Sequence, residues 1–322
     1  MDLKNLERII KEEYGNTGGI IVQKKGEKVY EYYLNECTAT SLVHVFSVTK
    51  SIISILFGIA IDKGYISESL NQKILDFFPD YKVPKGEKTI ENITIRDMMT
   101  MTAPYKNKVF KYQRFFRSDD WVKASLDFLG GKGKIGEFEY APLIGPDIFS
   151  AILVKVTGKS VLDFARENLF KPLEIDVPCD VVFHNKKEQM DFYKSRTVRG
   201  WVAGPTGVQT GGWGLMLTPS DMVKIGQLCL NGGMWNGQRI VSSKWLKEST
   251  GIAHSHWNDL KYGYLWWIID EKDSSFAAMG DGGNIIYVNP EKELVIAMAC
   301  YFIPKAKDRL NLIKEYIEPM FS

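Results

Sequence analysis

Leu3, Leu6, Ile9 and Ile10 recur at helical spacing through residues 2–14, which predicts an amphipathic helix with one buried face. The stretch "GGIIVQKKGEKVYEYYL" follows as two β-rich runs around "KKGEK", the pattern of a hairpin. Residues 47–63, "SVTKSIISILFGIAIDK", are different in kind. They are apolar on every side, as expected of a helix enclosed at the centre of a larger protein. Lys63-Gly64 supplies its stop, because glycine accepts the left-handed conformation there. From about 67 to 205 the pattern turns helical and irregular, with "NITIRDMMTM" and "VLDFARENLF" as helical pieces and "GGKGKIGEFEYAP" as a glycine-rich loop. Strand-like runs return in "YGYLWWIID", "SFAAMG", "NIIYVNP" and "LVIAMACYF", and a last helix spans about 305–320.

Strands at both ends with helices between them predict one sheet built from both termini. The expected fold is α/β of the α+β type. An antiparallel sheet flanked by N- and C-terminal helices is formed by residues 1–66 and 205–322, and a mostly helical domain, 67–204, is inserted. A net charge of +2 over 322 residues gives no electrostatic reason to expect a nucleic acid or an anionic membrane as partner. Cys37, Cys179, Cys229 and Cys300 are widely separated, without zinc-ligand or redox spacing, and read as reduced thiols. The charged start, "MDLKNLERIIKEEYG", lacks the apolar core of a signal peptide. No apolar run approaches the roughly 20 residues of a membrane span, so the expected location is the cytoplasm.

Chemistry enters at the head of the enclosed helix. Ser47 and Lys50 form the only Ser-x-x-Lys of the chain. Serine is a favoured helix N-cap, and such a pair arises by chance about once in a chain this long, so the plain reading is a capped, solvated turn. Two features oppose it. A cation faces the positive end of the helix dipole there, and its surroundings are too apolar for a solvated turn. Residues i and i+3 share a helix face, so the lysine amine can reach the serine hydroxyl. Serine becomes a nucleophile only when its proton is taken, and lysine takes it only when neutral. Desolvation at a buried helix start lowers the lysine pKa toward that state. The helix N-terminus also favours an oxyanion formed beside the serine.

With "FSVTKS" and "ITIRDMMTM", the stretches "EFEYAPLIGPDIFSAILVKVTGKSVLDFARENLFKPLEI" and "FAAMGDGGNIIYVNPEKELVIAMA" make the chain similar to the serine β-lactamase-like superfamily. The likeness is to its class C branch, with its esterases, amide hydrolases and D-alanyl peptidases. It runs from about Gly18 to the C-terminus. The resemblance implies that Ser47 is acylated and that Lys50 and Tyr140, at the head of a second helical stretch, share the proton transfers. The oxyanion hole would be the backbone N–H groups of Ser47 and Asn284. Asp281-Gly282-Gly283 would be the substrate-binding strand edge, its glycines letting a substrate lie close.

Two positions depart from the family pattern. Pro142 stands where the family has Asn and offers no side-chain amide, leaving Asp147 or Gln209 as substitutes. Asp281 stands where a basic or neutral polar residue helps to bind a substrate carboxylate, and a carboxylate there repels it. The reading is therefore a serine hydrolase acting through an acyl-enzyme on a small-molecule ester or amide, with no cofactor and no metal. A β-lactamase or penicillin-binding D-alanyl-D-alanine carboxypeptidase is the alternative within the class. A non-catalytic binding protein on the same fold is the rival outside it. Lesser signals carry little weight. "VTGKS" lacks the first glycine of a phosphate loop, "HSH" at 254–256 lacks a carboxylate pattern, and "GDGG" lacks the repeated acids of a calcium loop. "YKNKVFKYQRFFR", 105–117, reads as a solvated loop with buried aromatics, or as a lid. Trp213, Trp266 and Trp267 read as core or pocket wall.

Overall fold

The computed structural model describes residues 2–106 and 111–321. Helix α1 (Leu3–Glu13) starts where the Asp2 carboxylate accepts the Asn5 N–H at 2.9 Å, and it buries Leu6, Ile9 and Ile10. Strands β1 (Thr17–Lys24) and β2 (Glu27–Tyr33) follow as the predicted hairpin. Their turn, Lys25-Gly26, has φ of 53° and 81°, the double positive φ that matches strand twist. Helix α2 (Val48–Asp62) is buried continuously from Val48 to Ala60.

The middle of the chain carries short helices, among them Ile95–Met99, Trp121–Phe128, Lys186–Lys194 and α3 (Asp147–Thr157). The helix predicted from Tyr140 begins only at Asp147. Pro142 and Pro146 disfavour helical geometry in the residues before them, so no helix forms ahead of Pro146. Gly158 ends α3 with a φ of 69°, and Ser160 caps the next helix, so "VTGKS" is a helix stop followed by a start. Helix α4 (Pro219–Leu230) then leads to strands β3 (Ser255–Trp257), β4 (Leu260–Tyr262), β5 (Trp267–Asp270), β6 (Ser275–Gly280), β7 (Asn284–Asn289) and β8 (Leu294–Cys300). Helix α5, residues 309–321, closes the described chain. "YGYLWWIID", predicted as one strand, is broken between β4 and β5, where Leu265 turns to a φ of 62°.

The sheet runs β2-β1-β8-β7-β6-β5-β4-β3, antiparallel throughout, with β1 from one end of the chain paired to β8 from the other. Side chains alternate across it. Ile20, Val22, Tyr287, Ile296 and Met298 pack against α1 and α5, while Ile21, Ile286, Val295 and Ala297 face α2 and α4. The second face shares one continuous apolar core with the helices of the middle segment. That core fixes α2 between sheet and helices, and the head of α2 meets the end of β6.

Candidate active site

Just before α2, Val43–His44 pairs with Met216–Leu217, and the Val45 N–H bonds to the Leu215 carbonyl at 3.1 Å. Phe46 then takes a φ of 48°, an uncommon state for a bulky residue and one that concentrates at functional sites. It delivers Ser47 to the helix start. The Ser47 hydroxyl makes no capping bond. It lies 2.8 Å from Lys50 Nζ instead. Among the described residues the Ser47 N–H has no acceptor.

Lys50 is 1 % exposed. Its Nζ sits 2.8 Å from the Pro142 carbonyl and 3.0 Å from that of Gly212. A neutral amine has two N–H donors and one lone pair. Two carbonyls that can only accept, plus one hydroxyl that can donate, match that set. Burial pushes the Lys50 pKa down to about 7, opposed by the Asp281 and Asp147 carboxylates. The residue whose side chain could not replace the family amide therefore holds the lysine through its backbone.

Tyr140 stands on the other side, half-buried, its ring centroid 5.1 Å from Lys50 Nζ and 5.6 Å from the Trp267 ring. Burial raises its pKa to about 12, against the lowering effect of its hydrogen bond with Ser47, and Asp281 adds to the rise. The phenol is thus a neutral donor toward Ser47, and the lysine is the group with basic character near neutral pH.

The Gly212 carbonyl is itself pinned from both sides. Asp147 Oδ1 accepts the Gly211 N–H at 2.8 Å, and His44 Nε2 accepts the Gly214 N–H at 2.9 Å. Both groups are buried, 2 % and 3 % exposed. Desolvation lifts Asp147 to about 7, opposed by the Gly211 bond and the Lys50 charge. It drops His44 to about 3, so the imidazole is neutral with its proton on Nδ1. Gln209 is engaged elsewhere, bonding the Leu162 N–H and the Asp180 carboxylate. Of the two substitutes considered for the missing amide, Asp147 acts on the lysine through the backbone and Gln209 does not.

The residue pressed against the nucleophile is Gly280, at the end of β6. A Cβ there would stand 3.0 Å from Ser47 N and 2.2 Å from the Val45 carbonyl oxygen. β5 covers β6 only as far as Ala277, so the backbone beyond it borders the cleft. Gly282 and Gly283, with φ of 79° and 95°, form the β6–β7 turn. They abut Tyr301–Phe302 and the Arg309 side chain. Asn284, opposite Gly280, is 1 % exposed and uses its side chain as a clamp. Its Nδ2 reaches the Asp281 carbonyl at 2.8 Å and that of His44 at 3.3 Å, and its Oδ1 accepts the Cys300 N–H. Asp281 is exposed, and its charge acts on Lys50, Tyr140, Tyr112 and Tyr193.

Gly280, Gly212 and His44 escaped the sequence reading. The glycine pair in "TGGWG" was the signal available for Gly212, and nothing in the local pattern marks a buried histidine as a backbone acceptor. Trp213 is buried beside His44, and Trp266 is buried against Phe276. His254 stacks on Tyr264 with centroids 4.2 Å apart, and among the described residues no group of His, Cys, Asp or Glu is arranged to hold a metal ion. No described helix is long and apolar enough to cross a membrane. In the basic–aromatic stretch, Phe115 is buried against Trp121, while Lys108 and Phe110 lie outside the described residues.

The profile of the family described as Beta-lactamase matches residues 4–310. The chain is 22 % identical to the 6-aminohexanoate-dimer hydrolase of Paenarthrobacter ureafaciens over 317 residues, covering 91 % of this chain and 74 % of that protein. Among solved structures, a family VIII carboxylesterase superposes with a TM-score of 0.71 at 15 % identity, over 98 % of this chain and 95 % of that one. The octameric penicillin-binding protein homologue of Pyrococcus abyssi superposes with a TM-score of 0.72 at 19 % identity, over 99 % and 77 %.

Proposed function

The chain belongs to the β-lactamase family, and we propose on that premise that it hydrolyses an ester or amide through an acyl-enzyme on Ser47. The observation that carries the reading is the place of Lys50 Nζ, buried and within hydrogen-bond distance of two backbone carbonyls and the Ser47 hydroxyl. Lys50 takes the Ser47 proton as Oγ attacks the carbonyl carbon. The ammonium so formed, with the Tyr140 phenol beside it, returns a proton to the departing alcohol or amine. Water then enters and attacks the acyl carbon as Lys50 accepts its proton; the Ser47 Oγ–acyl bond breaks, Lys50 returns the proton to Oγ, and the acyl group leaves as the acid. The Ser47 N–H is one oxyanion donor, and the β6 end at Gly280 is the site of the second. Each such donor is worth ~10²-fold to 10³-fold in rate.

The similarity to a dimer hydrolase and a carboxylesterase supports ester and amide substrates. Asp281 weighs against β-lactams and D-alanyl peptides, whose free carboxylate it repels. Three buried cysteines and an exposed one, all unpaired, suit a reducing cytoplasm. The test is whole-protein mass spectrometry after exposure to a fluorophosphonate and to a penicillin, followed by peptide mapping. A single phosphonate adduct on Ser47, absent in Ser47→Ala, is expected. A label elsewhere, or none, removes the nucleophile assignment, and a long-lived penicillin adduct would favour the penicillin-binding alternative.

A further inference from the structure

The Asp281 carboxylate is the unusual group at this cleft. It belongs to the residue after Gly280, which abuts Ser47 N. Among the described residues it has no hydrogen-bond or ion-pair partner. The cations of the adjoining segments are engaged with other groups: Lys307 with Glu13, Arg309 with Asn16, and Arg196 with the Asn35 carbonyl and the Tyr301 ring. Lys194 and Lys305 are exposed; Lys194 and Arg196 border the hollow beside Phe46, and Lys305, Lys307 and Arg309 border the recess of Asp281, none of them ion-paired with it.

Aromatic rings stand beside this carboxylate. Phe46, next to the nucleophile, lies 5.9 Å from Tyr193 and 5.2 Å from Phe302, centroid to centroid. A hollow of about 190 Å³ opens beside these three rings. Phe302 also lines the recess that contains Asp281. The charge of Asp281 is felt by Tyr193, Tyr112, Tyr140 and Lys50, which come from four separate segments around the cleft. An unpaired carboxylate with aromatic faces beside it is the chemistry that receives an organic cation.

We infer that the substrate carries a positively charged amine or quaternary ammonium near its scissile ester or amide, seated between Asp281 and the Phe46–Tyr193–Phe302 rings. The inference rests on the acyl-enzyme reading and narrows it. A carboxylate at the same position of a substrate would face Asp281 and be disfavoured. An uncharged group of the same shape would gain the ring contacts alone.

Two matched sets test it. In the first the leaving half varies: butyrylthiocholine, its neutral isostere S-(3,3-dimethylbutyl) thiobutyrate, and S-butyryl-3-mercaptopropionate, followed by thiol release. In the second the acyl half varies: 4-nitrophenyl esters of 6-aminohexanoic, heptanoic and adipic acids. In at least one set the cationic member should exceed the neutral one roughly tenfold in kcat/KM at low salt, with the anionic member slowest. The ratio of cationic to neutral rates should shrink with added salt. It should fall toward one in Asp281→Asn and fall part-way in Tyr193→Leu. A ratio near one in both sets, a ratio indifferent to Asp281→Asn, or a preference for the anion overturns the inference. Neutral-ester turnover with a Ser47 adduct would leave the hydrolase reading standing in any of those cases. If no member of either set is hydrolysed and Ser47 stays unlabelled, both fall together.

Discussion

Replacing Lys50 by Met separates what the lysine does for chemistry from what its burial does to the fold. In the folded protein burial holds Lys50 near pKa 7 rather than 10.5. That displacement is worth roughly 5 kcal/mol at about 1.4 kcal/mol per unit. Its folded pKa is depressed, so between about pH 7 and about pH 10 the unfolded chain binds one more proton than the folded one. Stability of the native protein therefore rises with pH across that window, by up to about 1.4 kcal/mol per unit, and is flat below it. Lys50→Met has no such contribution. The variant strands the Pro142 and Gly212 carbonyls, at ~1–3 kcal/mol each, which offsets much of the absolute gain. That loss shifts the level and leaves the slope alone. Urea unfolding of both proteins from about pH 6 to about pH 10 should show the variant's relative stability declining through the upper part of the range. In kcat/KM for a neutral ester, the native protein should have an acid limb centred near 7, falling about tenfold per unit below it. The variant should lose ~10²–10⁴ in rate and the limb with it. A stability difference that does not change from about pH 7 to about pH 10, together with no limb near 7, would refute the neutral-lysine argument.

Gly280→Ala should lower kcat/KM by ~10² or more, since its Cβ would meet the Val45 carbonyl at 2.2 Å and drive β6 away from Ser47. Gly282→Ala, at the turn behind the site, should act mainly on stability in urea, and equal activity losses for the two would contradict the assignment of the edge. Tyr140→Phe should reduce kcat on an activated ester, and combined with Lys50→Met the losses should be far from multiplicative if the two serve one proton relay. Independent action would give a double variant equal to the product of the singles. Asp147→Asn keeps an acceptor for the Gly211 N–H but removes a charge that raises the Lys50 pKa, so the acid limb should move to lower pH. An unmoved limb would leave Asp147 with a purely structural part.

Ser47 and Lys50 were legible in the sequence because both sit on one helix turn, where spacing alone sets reach. Tyr140 was legible through resemblance, although its helix was placed seven residues early because two prolines in 140–146 outweighed the apolar run. The sheet was legible from its β-rich, strand-like runs, except where Leu265 breaks β4 from β5. The support of Lys50 was not legible. Carbonyl oxygens are the same on every residue, so Pro142 and Gly212 acquire their part only from where the core sets the backbone. For the same reason Gly280 was missed, because its approach to Ser47 N depends on where the backbone lies at the end of β6. The length of the β6–β7 turn, and hence the register at its end, is fixed by the packing of Gly282 and Gly283 against 301–309.

The pairing of β1 with β8 also governs when the site can exist during synthesis. The nucleophile emerges early from the ribosome, on a helix whose apolar surroundings have not yet been made. The strand that presses on it, β6, and the partner that seals β1, β8, arrive only much later. Until then the growing chain carries an unclosed hairpin and a wholly apolar helix, the kind of surface that chaperones shield. Its many long-range pairings also favour slow folding. A chain halted before β8 should therefore be aggregation-prone and catalytically silent.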